Sequence, residues 1–177
     1  MVRGRVAFMR NGLAALPWFG LALIVIGLDQ YTKGLASAGL DYGQPVRVFS
    51  WFNLTLQHNP GAAFSFLSDA GGWQRYFFSA AAAIISAVLA AWLWVMPRGQ
   101  RLLALSLGLI IGGALGNLWD RIVFGYVVDF ISVHYQHYYF PAFNIADSAI
   151  TGGAIGMVLD SMVNRNNDMV GKRGESS

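Results

Sequence analysis

The stretch that decides the fold is LLALSLGLIIGGALGNLWDR, which runs from Leu102 to Arg121. Its charged residues are confined to its last two positions, and a bilayer core is crossed by about 20 mostly apolar residues in a helix. Gly108, Gly112 and Gly116 are spaced four apart, so they share one helix face and allow a second helix to approach closely. The stretch therefore predicts a membrane-spanning helix that packs inside a bundle.

Composition favours a membrane protein over a soluble one. The chain has 177 residues, of which 55% are hydrophobic and only 12% are charged, and its mean hydropathy is +0.47. A soluble globule needs more charge on its surface, and a disordered chain would be poorer in apolar residues. The absence of cysteine excludes a disulfide, a thiolate nucleophile and a cysteine metal site. The basic residues form no stripe, so we expect no nucleic-acid partner.

Three further apolar stretches complete a set of four predicted spans. The spans cover residues 13–35, 76–96, 102–122 and 142–163. Lys and Arg cluster near the N-terminus, in the loop after the second span and in the tail 164–177. The positive-inside rule therefore places both termini in the cytoplasm. The two remaining segments, 36–75 and 123–141, are aromatic and sparsely charged, and they would lie on the periplasmic side.

The first of these outer segments contains a β-prone run. Residues 46–56 lie between Pro45 and Pro60 and alternate in the way that favours strands. The predicted fold class is consequently an all-α integral membrane protein, one membrane domain over 1–177. It consists of a four-helix transmembrane bundle, a small periplasmic β-rich segment and an interfacial loop or helix.

Polar residues fall at the outer ends of these spans, where an ionisable group is costly unless it is paired or hydrated. Asp29 and Lys33 are four apart on one face, which favours a structural ion pair. Asn117, Asp120 and Arg121 share another face. For Arg121, an ion pair with Asp120 and a role in substrate binding are equally supported.

No local ion pair accounts for Asp129 or Asp147, because neither has an Arg or Lys within four residues. Two carboxylates that share a site do not both ionise cheaply, so one keeps its proton. One can then act as a general base on water and the other as a general acid on a peptide carbonyl. From the residues alone, a catalytic dyad and an ion or proton relay are equally supported.

Five sequence blocks together resemble one family, lipoprotein signal peptidase, which is also called signal peptidase II or prolipoprotein signal peptidase. In chain order the blocks are DQYTK from Asp29, NPGAAFS from Asn59, GGALGNLWDR from Gly112, VVDF from Val127 and FNIADS from Phe143. Each block alone is weak evidence. Their order and their position at the outer ends of the spans make the resemblance specific.

The resemblance implies an aspartyl endopeptidase of the bacterial inner membrane that uses no metal and no cofactor. Its substrate is a prolipoprotein whose cysteine carries a diacylglyceryl group, and it cuts just before that cysteine to release the signal peptide. The catalytic residues would be Asp129 and Asp147, near the periplasmic face. Substrate would be held by Asn59, Gly61, Asn117, Arg121 and Asn144. The supporting residues would be Asp29, Lys33 and Asp120.

Three other functions compete with this interpretation. A non-enzymatic assembly factor would account for the helix-packing faces, but it gives no reason for two unpaired carboxylates at one level. A membrane ion or proton transporter would account for the intramembrane Asp and Lys, but it predicts an inverted repeat or helices broken at mid-membrane. A Ser/Lys peptidase would use Lys33 as the base for Ser65 or Ser132. We expect a monomer surrounded by membrane lipids.

Overall fold

Four helices and four strands make up the part of the chain that the structure describes. This computed structural model covers residues 2–61 and 72–174, with side chains described for 12–61 and 72–163. The helices are α1 (Val2–Gly39), α2 (Trp73–Val95), α3 (Arg101–Val123) and α4 (Ile145–Gly174). The strands are β1 (Val46–Phe49), β2 (Phe52–Asn59), β3 (Val127–Tyr135) and β4 (Tyr138–Tyr139).

Three of the helices are long and apolar enough to cross a membrane. They are Gly12–Gly39 within α1, Trp73–Val95 and Arg101–Val123, and they coincide with the first three predicted spans. α4 is not among them, because two aspartates and several small polar residues lower its hydropathy. It also begins at Ile145 rather than at 142, and it continues to Gly174 instead of ending at 163.

α3 lies at the centre of the bundle and contacts α1, α2 and α4. Its glycine face packs closely against another helix, as predicted, and that helix is α1. A β carbon at Gly108 would lie 2.8 Å from the carbonyl oxygen of Trp18, and one at Gly112 would lie 2.8 Å from that of Ala22. Larger residues at these positions would push α1 and α3 apart.

A second close contact, between α3 and α4, was not predicted. A β carbon at Gly113 would overlap the carbonyl oxygen of Ala146, and one at Gly153 would lie 2.6 Å from that of Ser106. The sequence shows these glycines but not which helix they face. This contact fixes the start of α4 against the end of α3, where the predicted site residues lie.

Both outer segments contribute to one antiparallel sheet, in the order β1-β2-β3-β4. The β-prone run 46–56 does form strands, whereas the strands of the second outer segment were not predicted. The expectation of an all-α fold is therefore too narrow. The described parts of the connections, residues 40–61, 72 and 124–144, hold strands, bridges and turns and no helix, so an interfacial helix is not found there.

Candidate active site

The predicted site residues meet at one end of the bundle. α1 and α3 reach this end with their last turns, and α4 begins there. One network of ion pairs and hydrogen bonds connects the side chains of Asp29, Lys33, Asn59, Asn117, Asp120, Arg121, Asp129, Asn144 and Asp147. The sheet supplies two of these residues, Asn59 and Asp129.

Lys33 is the centre of a buried ion cluster. Its ammonium lies 2.7 Å from Asp29 Oδ2 and 2.8 Å from Asp120 Oδ2. The predicted pair of Asp29 and Lys33 is thus present. One of the two options for Arg121 was an ion pair with Asp120, and this ion pair does not form. Asp120 is paired with Lys33 instead.

The two carboxylates of this cluster also join separate elements of the fold. Asp29 Oδ1 accepts a hydrogen bond from the backbone N–H of Ala146 at 2.9 Å, at the start of α4. Asp120 Oδ2 accepts one from the N–H of Val128 at 3.1 Å, and Gln30 Nε2 donates to Asp120 Oδ1 at 2.7 Å. The cluster therefore ties α1, α3, α4 and β3 together. The sequence analysis assigned no role to Gln30.

Asn144 and Asp147 cap the N-terminus of α4. Asn144 Oδ1 accepts from the N–H of Asp147 at 2.9 Å, and Asp147 Oδ2 accepts from the N–H of Asn144 at 3.3 Å. This reciprocal arrangement is a capping box, with Asn at the cap and an acidic residue three positions later. The spacing Asn-x-x-Asp before an apolar run is a signal that sequence reasoning could have used.

The amide groups of Asn117 and Asn144 connect the two candidate catalytic aspartates. Asn144 Nδ2 donates to Asp129 Oδ1 at 2.8 Å and lies 3.2 Å from Asn117 Oδ1. Asn117 Nδ2 donates to Asp147 Oδ1 at 2.8 Å. Both asparagines are buried, so their amide groups are already used within the protein.

Asp129 lies deep in the site, in β3. Only 2% of it is exposed, and Asn59 Nδ2 donates to its Oδ2 at 3.0 Å. Burial, followed by the negative charge of Asp147, raises the pKa of Asp129 from 3.8 to about 7. Asp129 therefore holds a proton over much of the range in which an ordinary aspartate is charged.

Asn59 is oriented by the turn that follows β2. Its Oδ1 accepts from the N–H of Gly61 at 2.9 Å, which leaves Nδ2 facing Asp129. Gly61 has φ +114, and a β carbon there would lie 2.7 Å from the ring of Phe78. A glycine is required by this turn. Upstream, β2 carries one extra residue between Leu54 and Gln57 relative to β3, and such bulges redirect side chains next to active sites.

Arg121 supplies a positive charge that faces the pair. Its guanidinium interacts with Asp147 and Asp129, Nη1 donates to the carbonyl of Asn117 at 3.3 Å, and the group lies 5.5 Å from the centre of the Phe78 ring. Nε is buried and has no hydrogen-bond partner within the described residues.

The Ser/Lys alternative finds no support in these contacts. Lys33 is held between two carboxylates, and such an ammonium is a poor general base because losing its proton would leave the carboxylates unpaired. Ser132 is buried in β3. Ser65 lies outside the described residues.

Comparison with known proteins assigns the chain to a family. A model described as signal peptidase (SPase) II matches residues 21–163, a range that contains every site residue named above. The chain belongs to the signal peptidase II family. The transporter alternative is not favoured by this match.

Relatives and solved structures agree with the family. A lipoprotein signal peptidase of Acinetobacter baumannii is 58% identical over 146 residues, covering 82% of this chain and 83% of that protein. One of Teredinibacter turnerae is 56% identical over 152 residues, covering 86% and 90%. A solved bacterial membrane enzyme has 32% identity and a TM-score of 0.76, covering 85% of this chain and 90% of that one. A second has 33% identity and a TM-score of 0.71, covering 81% and 90%. The chain is thus a membrane protein of this peptidase family.

Proposed function

We propose that this chain removes signal peptides from lipoprotein precursors, with Asp129 and Asp147 as its catalytic pair. The observation that carries the proposal is the pair itself. Two aspartates from different elements meet in one buried network at the end of a membrane bundle, in a chain of the signal peptidase II family. Neither forms an ion pair within 4 Å among the described residues.

The chemistry requires only these two carboxyl groups and a water molecule. The charged carboxylate takes a proton from the water, whose oxygen attacks the scissile carbonyl carbon, while the neutral carboxyl donates its proton to the carbonyl oxygen. The tetrahedral intermediate then collapses: the new hydroxyl returns its proton to the carboxylate that had acted as the acid, the C–N bond breaks, and the leaving amine takes up the proton that the base received. No covalent intermediate, metal or cofactor enters these steps.

The position of the pair suits a lipid-anchored substrate. Asp129 and Asp147 lie where α3 ends and α4 begins, which is the depth of the membrane surface if these helices span. A diacylglyceryl-cysteine in the outer leaflet would hold the bond before it at this level. Arg121, whose guanidinium faces both aspartates, would donate to a backbone carbonyl of the substrate.

The structure suggests a different role for two residues that the family resemblance assigns to substrate binding. The amides of Asn117 and Asn144 are buried and bonded to the catalytic pair. We therefore place them as residues that position the aspartates. Asn59 acts in the same way on Asp129, and Gly61 shapes the turn that orients Asn59.

We propose four membrane spans within one domain, with α4 as the fourth. α4 runs along α3, and its outward face carries exposed apolar residues at helical spacing, namely Ile155, Val158, Leu159, Met162 and Val163. Such a face suits hydrocarbon. Four spans put both termini in the cytoplasm and the site at the periplasmic face of the inner membrane. The chain would act as a monomer.

The test offers purified protein in detergent the same prolipoprotein with and without its diacylglyceryl group. We expect cleavage of the lipidated form only, unaffected by a metal chelator. Asp129→Asn and Asp147→Asn should each lose at least about a hundredfold in kcat, since removing a general acid or base of a pair costs about 10²–10⁴. Asp41→Asn, an exposed aspartate outside the network, is the matched control and should cleave normally. Normal turnover by either dyad variant would refute the proposal.

A further inference from the structure

Lys33 is a buried cation that the cleavage steps do not use directly. It is 3% exposed. Besides its two ion pairs, its ammonium donates to Asn117 Oδ1 at 2.9 Å. An ammonium has three donors and no acceptor, so these three contacts use it fully. Only the oxygen of the Asn117 amide can face it.

This contact fixes which way the Asn117 amide points. Its Oδ1 is held by Lys33 and by Asn144 Nδ2, so its Nδ2 must face Asp147, to which it donates at 2.8 Å. A flipped amide would place donor against donor at Lys33 and acceptor against acceptor at Asp147. Lys33 thereby guarantees that Asp147 receives a hydrogen-bond donor, which favours its charged form.

The surroundings of the two aspartates favour different charge states. Asp147 lies in the first turn of α4, where the helix dipole stabilises negative charge. Of the carboxylates that face Arg121, Asp147 interacts with it most strongly. Asp129 lies in a strand and is almost completely buried, which favours the neutral acid. Its raised pKa of about 7 agrees with this difference.

We propose that Lys33 is a positioning residue that acts through Asn117 to hold Asp147 as the resting carboxylate, leaving the proton on Asp129. Asp147 is then the base that takes the proton of the water, and Asp129 is the acid that protonates the carbonyl oxygen. This assignment rests on the proposed peptidase function and adds roles to its two aspartates.

The proposal predicts that kcat falls at high pH, along a basic limb that reports the loss of the proton from Asp129. This limb belongs to the coupled pair as a whole. Other groups also set its position. The charged groups around Asp129 are Lys33 from α1, Arg121 from α3 and Asp147 from α4, with Asp120 of α3 bound to the neighbouring Val128.

The first experiment removes Lys33 while keeping the net charge. Lys33→Met combined with Asp29→Asn deletes one charge of each sign, and Asp120 keeps its donors from Gln30 and Val128. We expect kcat to fall about tenfold at unchanged KM, because the Asn117 amide is free to turn away from Asp147. The basic limb should move upward, because the charge of Lys33 lowers the pKa of Asp129. Asn117→Leu, which deletes the donor itself, should lower kcat at least as much.

Two variants serve as matched controls. Asn59→Leu removes a donor from Asp129 instead, so it should raise the basic limb. Ser106→Ala changes a buried polar residue of α3 that bonds only to the carbonyl of Leu102 among the described groups, and it should change neither kcat nor the basic limb. An unchanged kcat in both test variants, or a loss that appears only as a higher KM, overturns the proposal.

A measurement on folded wild type avoids the risk that these variants unfold. Infrared difference spectra near pH 6 should show a protonated-carboxyl band in wild type that is absent in Asp129→Asn and retained in Asp147→Asn. If Asp129→Asn keeps the band, the proton lies elsewhere and the assignment is wrong. Failure of the peptidase proposal is seen separately, as cleavage that survives both dyad substitutions.

Discussion

Asp129 is a buried acid with a raised pKa, and its titration also affects folding. In the unfolded chain its pKa returns to about 3.8, while in the folded protein it is about 7. Between these values the folded protein binds a proton that the unfolded chain has released. The resulting stabilisation is complete below about pH 4 and is lost as the pH rises through about 7.

We therefore predict that the melting temperature of wild type falls from about pH 5 to about pH 8, and that it falls less in Asp129→Asn. An asparagine resembles the protonated carboxyl but does not titrate. Differential scanning fluorimetry in detergent at the two pH values measures this, with Asp41→Asn as the control that should follow wild type. An equal fall in Asp129→Asn and wild type would show that Asp129 is not the group responsible.

At this scale the sequence predicted which aspartates matter but not what they contact. Asp129 and Asp147 stood out because no basic residue lies within four positions of either. One of the two options for Arg121 paired it with Asp120, the acidic residue next to it in sequence. In the structure Asp120 is paired instead with Lys33, from another helix. Contacts of this kind depend on helix packing, which a single sequence does not specify.

At the scale of elements, the start of α4 is held by the close approach of α3. The β carbon that Gly113 lacks would overlap the carbonyl oxygen of Ala146 and lie 2.8 Å from Ile150. The neighbouring residues Asn144 and Asp147 belong to the site. A change at Gly113 should consequently affect both stability and cleavage.

We predict that Gly113→Ala lowers the free energy of unfolding by about 1–3 kcal/mol and lowers kcat, because α4 must shift relative to α3. Gly152→Ala is the matched control, a helical glycine with open space around its missing β carbon. It should leave the melting temperature and kcat near their wild-type values. Equal behaviour of the two variants would contradict the role of the α3–α4 contact.

The elements were predicted unevenly for physical reasons. The length of their apolar stretches identifies α1, α2 and α3, because a membrane span must be long and nearly uncharged. The strands β1 and β2 follow from a β-prone run between two prolines. β3 was missed because its pairing partner, β2, lies about 70 residues away in sequence, as the contact between Asn59 and Asp129 illustrates. A strand that is buried along most of its length shows no clear alternation of polar and apolar residues.

At the scale of the whole molecule, every group of the proposed mechanism lies at one end of the bundle, and the membrane orientation decides which compartment that end faces. The chain contains no cysteine, so single introduced cysteines report orientation without background. Tyr138 is exposed near the end that carries the site, and Gln100 is exposed in the loop between α2 and α3. Ser176 is close to the C-terminus.

We predict that a membrane-impermeant maleimide applied to intact spheroplasts labels Tyr138→Cys but not Gln100→Cys or Ser176→Cys. All three should react once the membrane is permeabilised, which controls for accessibility. Four spans require this pattern because α4 returns the chain to the side of the loop between α2 and α3. Labelling of Ser176→Cys together with Tyr138→Cys from outside would instead mean that α4 does not cross. The aspartate pair would keep its geometry in that case, but the proposal of four spans would be wrong.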